Sequence, residues 1–149
     1  HVPLVHPGMS RNIEAVSYRV EHHGDPRWNI HTAPQRDGVN WSGVWGYFYP
    51  LFSFDIFPGG MAVERWLPVG KDRTDLIFEY FFADDAPDVE ATVKSSEEVA
   101  DEDARVAEMV QKNLMAGVYR TGWLSPRHEN GLADFHAMVR AAVDPFLGR

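Results

Sequence analysis

The sequence predicts an α+β fold, in which a curved antiparallel sheet grips helices that follow it along the chain. Two observations support this class. Segments with strand-like alternation occupy the first half of the chain, and from Ser95 the apolar residues recur with the period of a helix. The 149 residues are the size of one domain with a single sizeable core, so we expect one domain over residues 1–149.

The strand predictions begin after a segment in which Pro3, Pro7 and Gly8 prevent a long regular helix, leaving a helix end or loop. The strand candidates are 13–23, 28–32, 44–57, 61–69 and 75–82. Gly59 and Gly60 mark a hairpin turn, and Gly70 opens another. An antiparallel meander is therefore predicted. Its third candidate is apolar on both faces, which is typical of a central strand.

Two helices are predicted after the sheet. Ser95 and Glu98 fit a capping box, and helix-forming residues continue from there to Gly117, which supplies a stop. A loop then leads to a last amphipathic helix at 131–143, which we expect to end near Pro145.

Composition excludes several classes of function. A net charge of -8 and a pI near 5.2 argue against nucleic acid or an anionic membrane surface as the main partner. The chain has no cysteine, which removes disulfides, thiolate nucleophiles and cysteine-held clusters from this stretch. No apolar run is long enough to span a bilayer, and no signal peptide opens the chain. We therefore expect a soluble, cytoplasmic protein.

One carboxylate interrupts the apolar stripe of the first predicted helix. The stripe consists of Val99, Val106, Val110 and Leu114. Asp103 falls in the middle of it, whereas Asp101 and Glu102 fall off this face. A carboxylate on a buried face is costly unless it is paired, hydrogen-bonded or bound to a metal. Asp103 therefore has either a structural partner, such as an arginine or a backbone amide, or a metal.

His1 and His6 form a second candidate for metal binding. On a regular helix, five residues turn through about 500°, which leaves the two side chains about 140° apart. Prolines at positions 3 and 7 distort the segment, and a kinked turn can bring the two imidazoles together. Surface histidines are the alternative. Two imidazoles and one carboxylate would form a facial triad suited to Fe(II), although the same ligands also suit zinc.

Three segments resemble the catalytic domain of Rieske-type non-haem iron oxygenase α subunits: HVPLVHPGMSR, EDARVAEMVQKNL and GWLSPRHENGLADFH. The resemblance covers essentially the whole chain and implies that His1, His6 and Asp103 are the iron ligands. The family pattern places the ligand five residues before a glutamate, here Glu108, which selects Asp103 over Asp101. It also implies a helix-grip, START-like (Bet v 1-like) fold.

Within the family, the C-terminal pattern is most similar to choline monooxygenase and to betaine- and carnitine-type oxygenases. The matching residues are Val110, Gln111, Leu114, Tyr119, Gly122, Ser125, Glu129, Gly131, Phe135 and His136. The resemblance implies insertion of oxygen from O2 into an organic substrate, such as hydroxylation and demethylation of a quaternary amine. An aromatic ring-hydroxylating dioxygenase α subunit is the alternative within the family.

The resemblance also implies cofactors and partners that this chain does not hold. In the family, electrons pass from NAD(P)H through a reductase or ferredoxin to a [2Fe–2S] Rieske cluster and then to Fe(II), and α subunits commonly form homotrimers. The Rieske domain and the residues just before His1 are absent from this sequence. We therefore expect residues 1–149 to be a partial catalytic domain that is inactive alone.

Aromatic residues suggest a substrate pocket over the iron. The candidates are Trp45, Phe52, Phe54, Trp66 and Tyr80, which have a plain alternative role as sheet core. A quaternary amine could be held by its attraction to one or two of these rings. Of the remaining histidines, His22, His23 and His31 are interpreted as surface or structural residues. His128 and His136 belong to the family's C-terminal pattern, and His136 is interpreted as a packed or hydrogen-bonding residue.

Two functions of other classes stay open. A START-like module could bind a ligand without redox activity, but such a carrier needs no aspartate in its helix stripe. A zinc hydrolase would need a general base beside the triad, and none is evident in the sequence.

Overall fold

The computed structural model describes residues 6–22, 25, 27–37, 43–119 and 121–148. Six antiparallel strands form one sheet in the order of the sequence: β1 Arg19–His22, β2 Trp28–Thr32, β3 Val44–Phe48, β4 Phe52–Phe57, β5 Gly60–Pro68 and β6 Thr74–Phe82. The helices are α1 Pro7–Asn12, α2 Val89–Met115 and α3 Asn130–Leu147. The predicted α+β class, a meander followed by helices, is confirmed.

The register of the strands gives the sheet an inner face that is turned toward the helices. Because side chains alternate along each strand, cross-strand partners share a face. The inner face carries Asn29, His31, Trp45, Tyr47, Ser53, Asp55, Ala62, Glu64, Trp66, Phe78 and Tyr80. This face is unusually polar at its centre, and it forms one wall of the candidate site.

The prediction of one strand over 44–57 is wrong. The chain reverses between β3 and β4, so that Val44 pairs with Ile56 and Phe48 with Phe52. The reversal falls at Pro50, which has no N–H to donate to a ladder. The Tyr47 hydroxyl donates to the Pro50 carbonyl oxygen at 3.0 Å and closes the turn. The apolar run therefore supplies two adjacent central strands.

The segment 13–23 contains a shorter strand than predicted. Only Arg19–His22 forms β1, and a 3-10 turn at Ala15–Ser17 precedes it. Ile13 is 2% exposed and forms an isolated bridge with Gln35. This backbone bridge joins the end of α1 to the loop after β2.

The start of α2 lies six residues before the predicted capping box, so that prediction is wrong. Asp88 is the N-cap, and its carboxylate accepts the Ala91 backbone N–H at 3.3 Å. Ser95 and Glu98 lie within the helix instead, where they face α1.

The last helix is longer than the predicted 131–143. α3 continues through Pro145 to Leu147, and Gly148 ends it with a left-handed φ of 67°. The helix continues past Pro145 although a proline there removes one hydrogen bond. The residue with positive φ, and not the proline, therefore sets the end of this helix.

Much apolar surface is exposed. The chain has 10454 Å² of accessible surface, against roughly 7,700 Å² for a compact monomer of its mass. The exposed side chains include Met109, Val110, Leu114, Met115 and Val118 around the C-terminal end of α2. Among the described residues, no helix combines the length and apolarity needed to cross a bilayer.

Candidate metal centre and adjoining cavity

His6 and Asp103 meet where the start of α1 approaches the middle of α2. The His6 Nδ1 atom lies 3.2 Å from the Asp103 Oδ1 atom. This nitrogen is buried and has no hydrogen-bond partner among the described residues. The fold thus brings together two residues that are 97 positions apart in the sequence. They approach each other at a buried nitrogen that makes no hydrogen bond to any residue the structure describes.

The spacing of these two atoms suits a shared metal ion. Two ligand atoms that each lie about 2.1 Å from an ion, at angles of 90–109°, are roughly 3.0–3.4 Å apart. The observed 3.2 Å falls in this interval. The third predicted ligand, His1, lies outside the described residues. Within the described part of the chain, no group of three or more His, Asp or Glu side chains is arranged to hold a metal.

The burial of the neighbouring carboxylates reverses the sequence prediction. Asp103 was expected on a buried face and Glu102 off it, but the Asp103 side chain is 52% exposed and Glu102 is 7% exposed. The reason is that α1 packs on the side of α2 that carries Glu102. Oε1 of Glu102 accepts the Gly8 backbone N–H at 2.8 Å. Val110 and Leu114 of the predicted stripe are about half exposed.

Three influences act on the pKa of the Asp103 carboxyl group. Partial burial raises this pKa, the His6 imidazole opposes the rise, and the Glu102 carboxylate adds to it. A cation placed between His6 and Asp103 would relieve the desolvation and the repulsion together.

A cavity of about 380 Å³ adjoins Asp103 between the sheet and α2. Asp55 of β4 and Glu64 of β5 face it from the inner side of the sheet. Burial and the like charge of Glu64 raise the pKa of Asp55 to about 7, and burial also raises the pKa of Glu64. Glu64 accepts the hydroxyl of Ser53, which in turn accepts the Trp66 Nε1–H at 2.9 Å. The pair therefore carries a proton near neutral pH.

A larger cleft of about 1190 Å³ lies between the sheet and the start of α3. Its floor includes a polar chain in which the Tyr18 hydroxyl lies 2.5 Å from His31 Nδ1, and His31 Nε2 lies 2.6 Å from Asn29 Oδ1. Because an amide oxygen only accepts, Nε2 donates and Nδ1 accepts the Tyr18 hydroxyl. The structural role predicted for His31 fits this network. Glu64 and Trp66 line both spaces.

The five predicted pocket aromatics divide between the two faces of the sheet. Trp45 and Trp66 line the cleft, and Tyr80 stacks between Phe78 and Phe82 on the inner face. The structure does not bring the other two to the site: Phe52 and Phe54 alternate with Ser53 and Asp55 and point to the outer face. The ring of Phe54 covers Gly46 there.

Asp55 and Glu64 were not among the site residues predicted from the sequence. A signal was available, because Asp55 interrupts the apolar strand FSFDIF, as Asp103 interrupts its helix. Of the other histidines, His128 lines the cleft, and the His136 ring lies 6.4 Å from that of Phe135. His23 lies outside the described residues.

Comparison with known families identifies the class of protein. The sequence profile of the ring-hydroxylating α subunit catalytic domain matches residues 1–144. The chain therefore belongs to this family and is a Rieske oxygenase catalytic domain, which confirms the resemblance of the three segments.

Curated relatives include chloroplastic choline monooxygenases of plants. The protein of Atriplex hortensis is 24% identical over 150 residues, which are 96% of this chain and 34% of that protein. The protein of Arabidopsis thaliana is 26% identical over 132 residues, 82% of this chain and 31% of that protein. The chain thus spans about a third of the length of these relatives.

Solved structures agree on the fold. A quaternary ammonium Rieske monooxygenase of carnitine oxidation by gut microbiota superimposes with a TM-score of 0.78 at 21% identity, covering 95% of this chain and 43% of that one. A quaternary ammonium Rieske monooxygenase bound to an inhibitor gives 0.74 at 22% identity, covering 95% and 42%. The helix-grip fold expected from the resemblance is confirmed.

Proposed function

We propose that this chain forms the mononuclear iron domain of an oxygenase that inserts oxygen from O2 into a quaternary amine. His1, His6 and Asp103 are the proposed ligands of Fe(II). The observation that carries the proposal is the 3.2 Å approach of His6 Nδ1 to Asp103 Oδ1 at a buried nitrogen without a hydrogen-bond partner. Fe(II) bound there would supply the activation of O2 for attack on a substrate C–H bond.

The residues beside the proposed iron site suit a cationic substrate. Glu64 and Trp66 line both the small cavity and the larger cleft, and Trp45 stands in the cleft beside them. Indole faces attract quaternary ammonium groups, and a carboxylate adds charge attraction. The expected role of these side chains is to orient an N-methyl group toward the iron and to exclude water. Hydroxylation of that carbon leads to demethylation.

The family relationship supports a set of cofactors and partners. We propose that electrons reach the iron from NAD(P)H through a reductase or ferredoxin and a [2Fe–2S] Rieske cluster elsewhere in the whole protein. A homotrimer would give the exposed apolar end of α2 a covering surface, and one solved relative is described with electron transfer between subunits. Cytoplasmic location stays a prediction, and the plant relatives are named as chloroplastic.

Iron analysis of the full-length protein tests the proposal. His6→Ala and Asp103→Ala each remove one ligand, so we expect mononuclear iron to be lost and product formation with it. His136→Ala and Asp101→Ala are matched controls because both side chains are exposed and neither is a proposed ligand. Full iron occupancy in both ligand variants would refute the assignment. Turnover of choline, betaine or carnitine supports the quaternary amine class, whereas turnover of aromatic substrates only would contradict it.

A further inference from the structure

Within the described ranges, four polar contacts join α2 to α1 and to its N-cap residue His6, and later residues of α1 meet earlier residues of α2. These contacts, the α1–α2 interface, are Ser95 Oγ with Asn12 Nδ2 at 3.1 Å, Glu98 Oε1 with an Arg11 guanidinium nitrogen at 2.5 Å, Glu102 Oε1 with Gly8 N at 2.8 Å and Asp103 Oδ1 with His6 Nδ1 at 3.2 Å. The proposed metal ligands therefore form one end of a helix-packing contact.

Glu102 is the buried member of this interface. The Gly8 N–H lies in the first turn of α1, where a helix provides no acceptor of its own. The N-cap residue, His6, makes no side-chain capping bond. The Glu102 carboxylate therefore performs from α2 the role that a capping side chain would perform within α1.

The absence of a side chain at Gly8 permits this contact. A Cβ atom built at Gly8 would lie 3.1 Å, 3.2 Å and 3.3 Å from Oε1, Oε2 and Cδ of Glu102. These distances are shorter than ordinary van der Waals contacts, so a Cβ atom at position 8 would require the carboxylate to shift by a few tenths of an ångström. Glycine at position 8 and glutamate at position 102 are thus matched to each other.

The contact joins the two backbone segments that carry the proposed ligands. Gly8 lies two residues after His6, and the His6 carbonyl accepts the Ser10 N–H at 2.9 Å, which ties His6 to the same helical turn. Glu102 directly precedes Asp103 on α2. A displacement of Gly8 relative to Glu102 would therefore change the separation of His6 Nδ1 and Asp103 Oδ1.

A carboxylate at this position carries a cost in desolvation beside its capping role. Oε2 of Glu102 is buried and has no hydrogen-bond partner among the described residues. A buried carboxylate oxygen without a partner carries a desolvation cost. The bond that Oε1 accepts from the Gly8 N–H opposes that cost, and it holds this backbone group in place beside the proposed site.

We propose that Glu102 is a positioning residue, which by accepting the Gly8 N–H holds the His6 imidazole at the spacing from Asp103 that a divalent metal ion requires. This inference rests on the proposed iron site. Glu102 itself does not touch the metal. Its effect reaches the site through the backbone of α1.

Co(II) binding to the full-length protein, stripped of mononuclear iron, tests the inference. The dissociation constant and the visible ligand-field spectrum of bound Co(II) report the geometry of the site without turnover. We expect Glu102→Ala to weaken Co(II) binding by roughly 10- to 100-fold and to alter the spectrum. Glu102→Gln should retain most of the affinity, because its amide oxygen can accept the same N–H.

Two further variants separate positioning from general stability. Gly8→Ala should weaken Co(II) binding, because the added methyl group displaces the carboxylate. Glu98→Ala removes an exposed contact of the same interface and should leave both the Co(II) constant and the spectrum unchanged. Circular dichroism confirms which variants are folded, and if Glu102→Ala is not, then Glu102→Gln and Gly8→Ala decide.

The outcomes are distinct. A folded Glu102→Ala variant with native Co(II) affinity overturns the inference, as does native affinity in Gly8→Ala. A Gln variant as weak as the Ala variant excludes the hydrogen bond as the mechanism. If the native protein binds Co(II) no more tightly than His6→Ala and Asp103→Ala, the iron site itself is wrong and the inference falls with it. If Co(II) affinity depends on His6 and Asp103 but not on Glu102, the positioning role of Glu102 is wrong and the proposed iron site stands.

Discussion

The α1–α2 interface and the acid pair of Asp55 on β4 and Glu64 on β5 both place carboxyl groups beside the proposed iron site. The two regions accommodate a buried carboxyl group in different ways. Glu102 accepts a backbone N–H from α1. Asp55 faces Glu64 across two paired strands, and burial and repulsion keep a proton on the pair. A carboxylate bonded to backbone N–H positions a helix, whereas a carboxylate facing another one makes the charge of a cavity depend on pH.

Asp55→Asn should produce the largest of the predicted effects, a change in how the free energy of unfolding depends on pH. The pKa of Asp55 is about 7 in the fold and 3.8 as its ordinary value, so the folded chain retains a proton that the unfolded chain has released. The free energy of unfolding therefore falls as pH rises from about 4 to 7, with a slope of at most about 1.4 kcal/mol per pH unit. The side-chain amide of this variant cannot titrate, so the contribution of Asp55 to the slope should disappear and the slope should become shallower.

Urea denaturation of the metal-free protein between pH 4 and 8 measures this slope. The free energy of unfolding of Asp55→Asn should rise relative to that of the native chain as pH rises, and the difference should level off above pH 7. Asp101→Asn, at an exposed position on α2, is the control and should keep the native slope. An Asp55→Asn variant with the native slope would show that the acid pair does not hold the proton.

Ser53→Ala should have an intermediate effect, because it removes the one hydroxyl that links Glu64 to Trp66. The change leaves the Trp66 Nε1–H and a carboxylate oxygen without this partner, which costs about 1–2 kcal/mol of unfolding free energy. The pKa of Glu64 should rise further, since the hydroxyl lowers it in the native chain. Urea denaturation at pH 7 measures the loss, and Ser53→Thr, which keeps the hydroxyl, should restore most of it.

Glu98→Gln should have the smallest effect. Its ion pair with Arg11 belongs to the α1–α2 interface but is exposed on both sides, so solvent and salt screen it. We expect an unchanged urea midpoint in 1 M salt. A clear loss of stability at high salt would mean that the exposed contacts, and not Glu102 alone, hold α1 on α2.

Much of the fold was predictable because it follows from local patterns. Alternation and glycine turns predicted the hairpin between β5 and β6, and helical periodicity predicted α2 and α3. The errors arose where two local signals competed. Pro50 divided an apolar run that otherwise suggests one strand, and Asp88 capped α2 before Ser95 could. Neither competition can be judged without knowing how the neighbouring strands and helices pack.

The candidate site was predictable in part for a similar reason. His6 and Asp103 were identified from motif resemblance and from a carboxylate in an apolar stripe, and the fold brings the two together. The acid pair was missed because Asp55 and Glu64 lie on different strands and become partners only through the β4–β5 register. Phe54 was assigned to the pocket because composition does not reveal which face of a strand meets the helices.

The sequence by itself determined the order of strands and helices, the acidity of the chain and the residue types from which an iron site can be built. Tertiary structure alone decided that Glu102 is buried beside a half-exposed Asp103, and that Asp55 faces the cavity while Phe54 faces away. The physical reason is that periodicity defines which side chains share a face, whereas burial depends on which face another part of the chain covers.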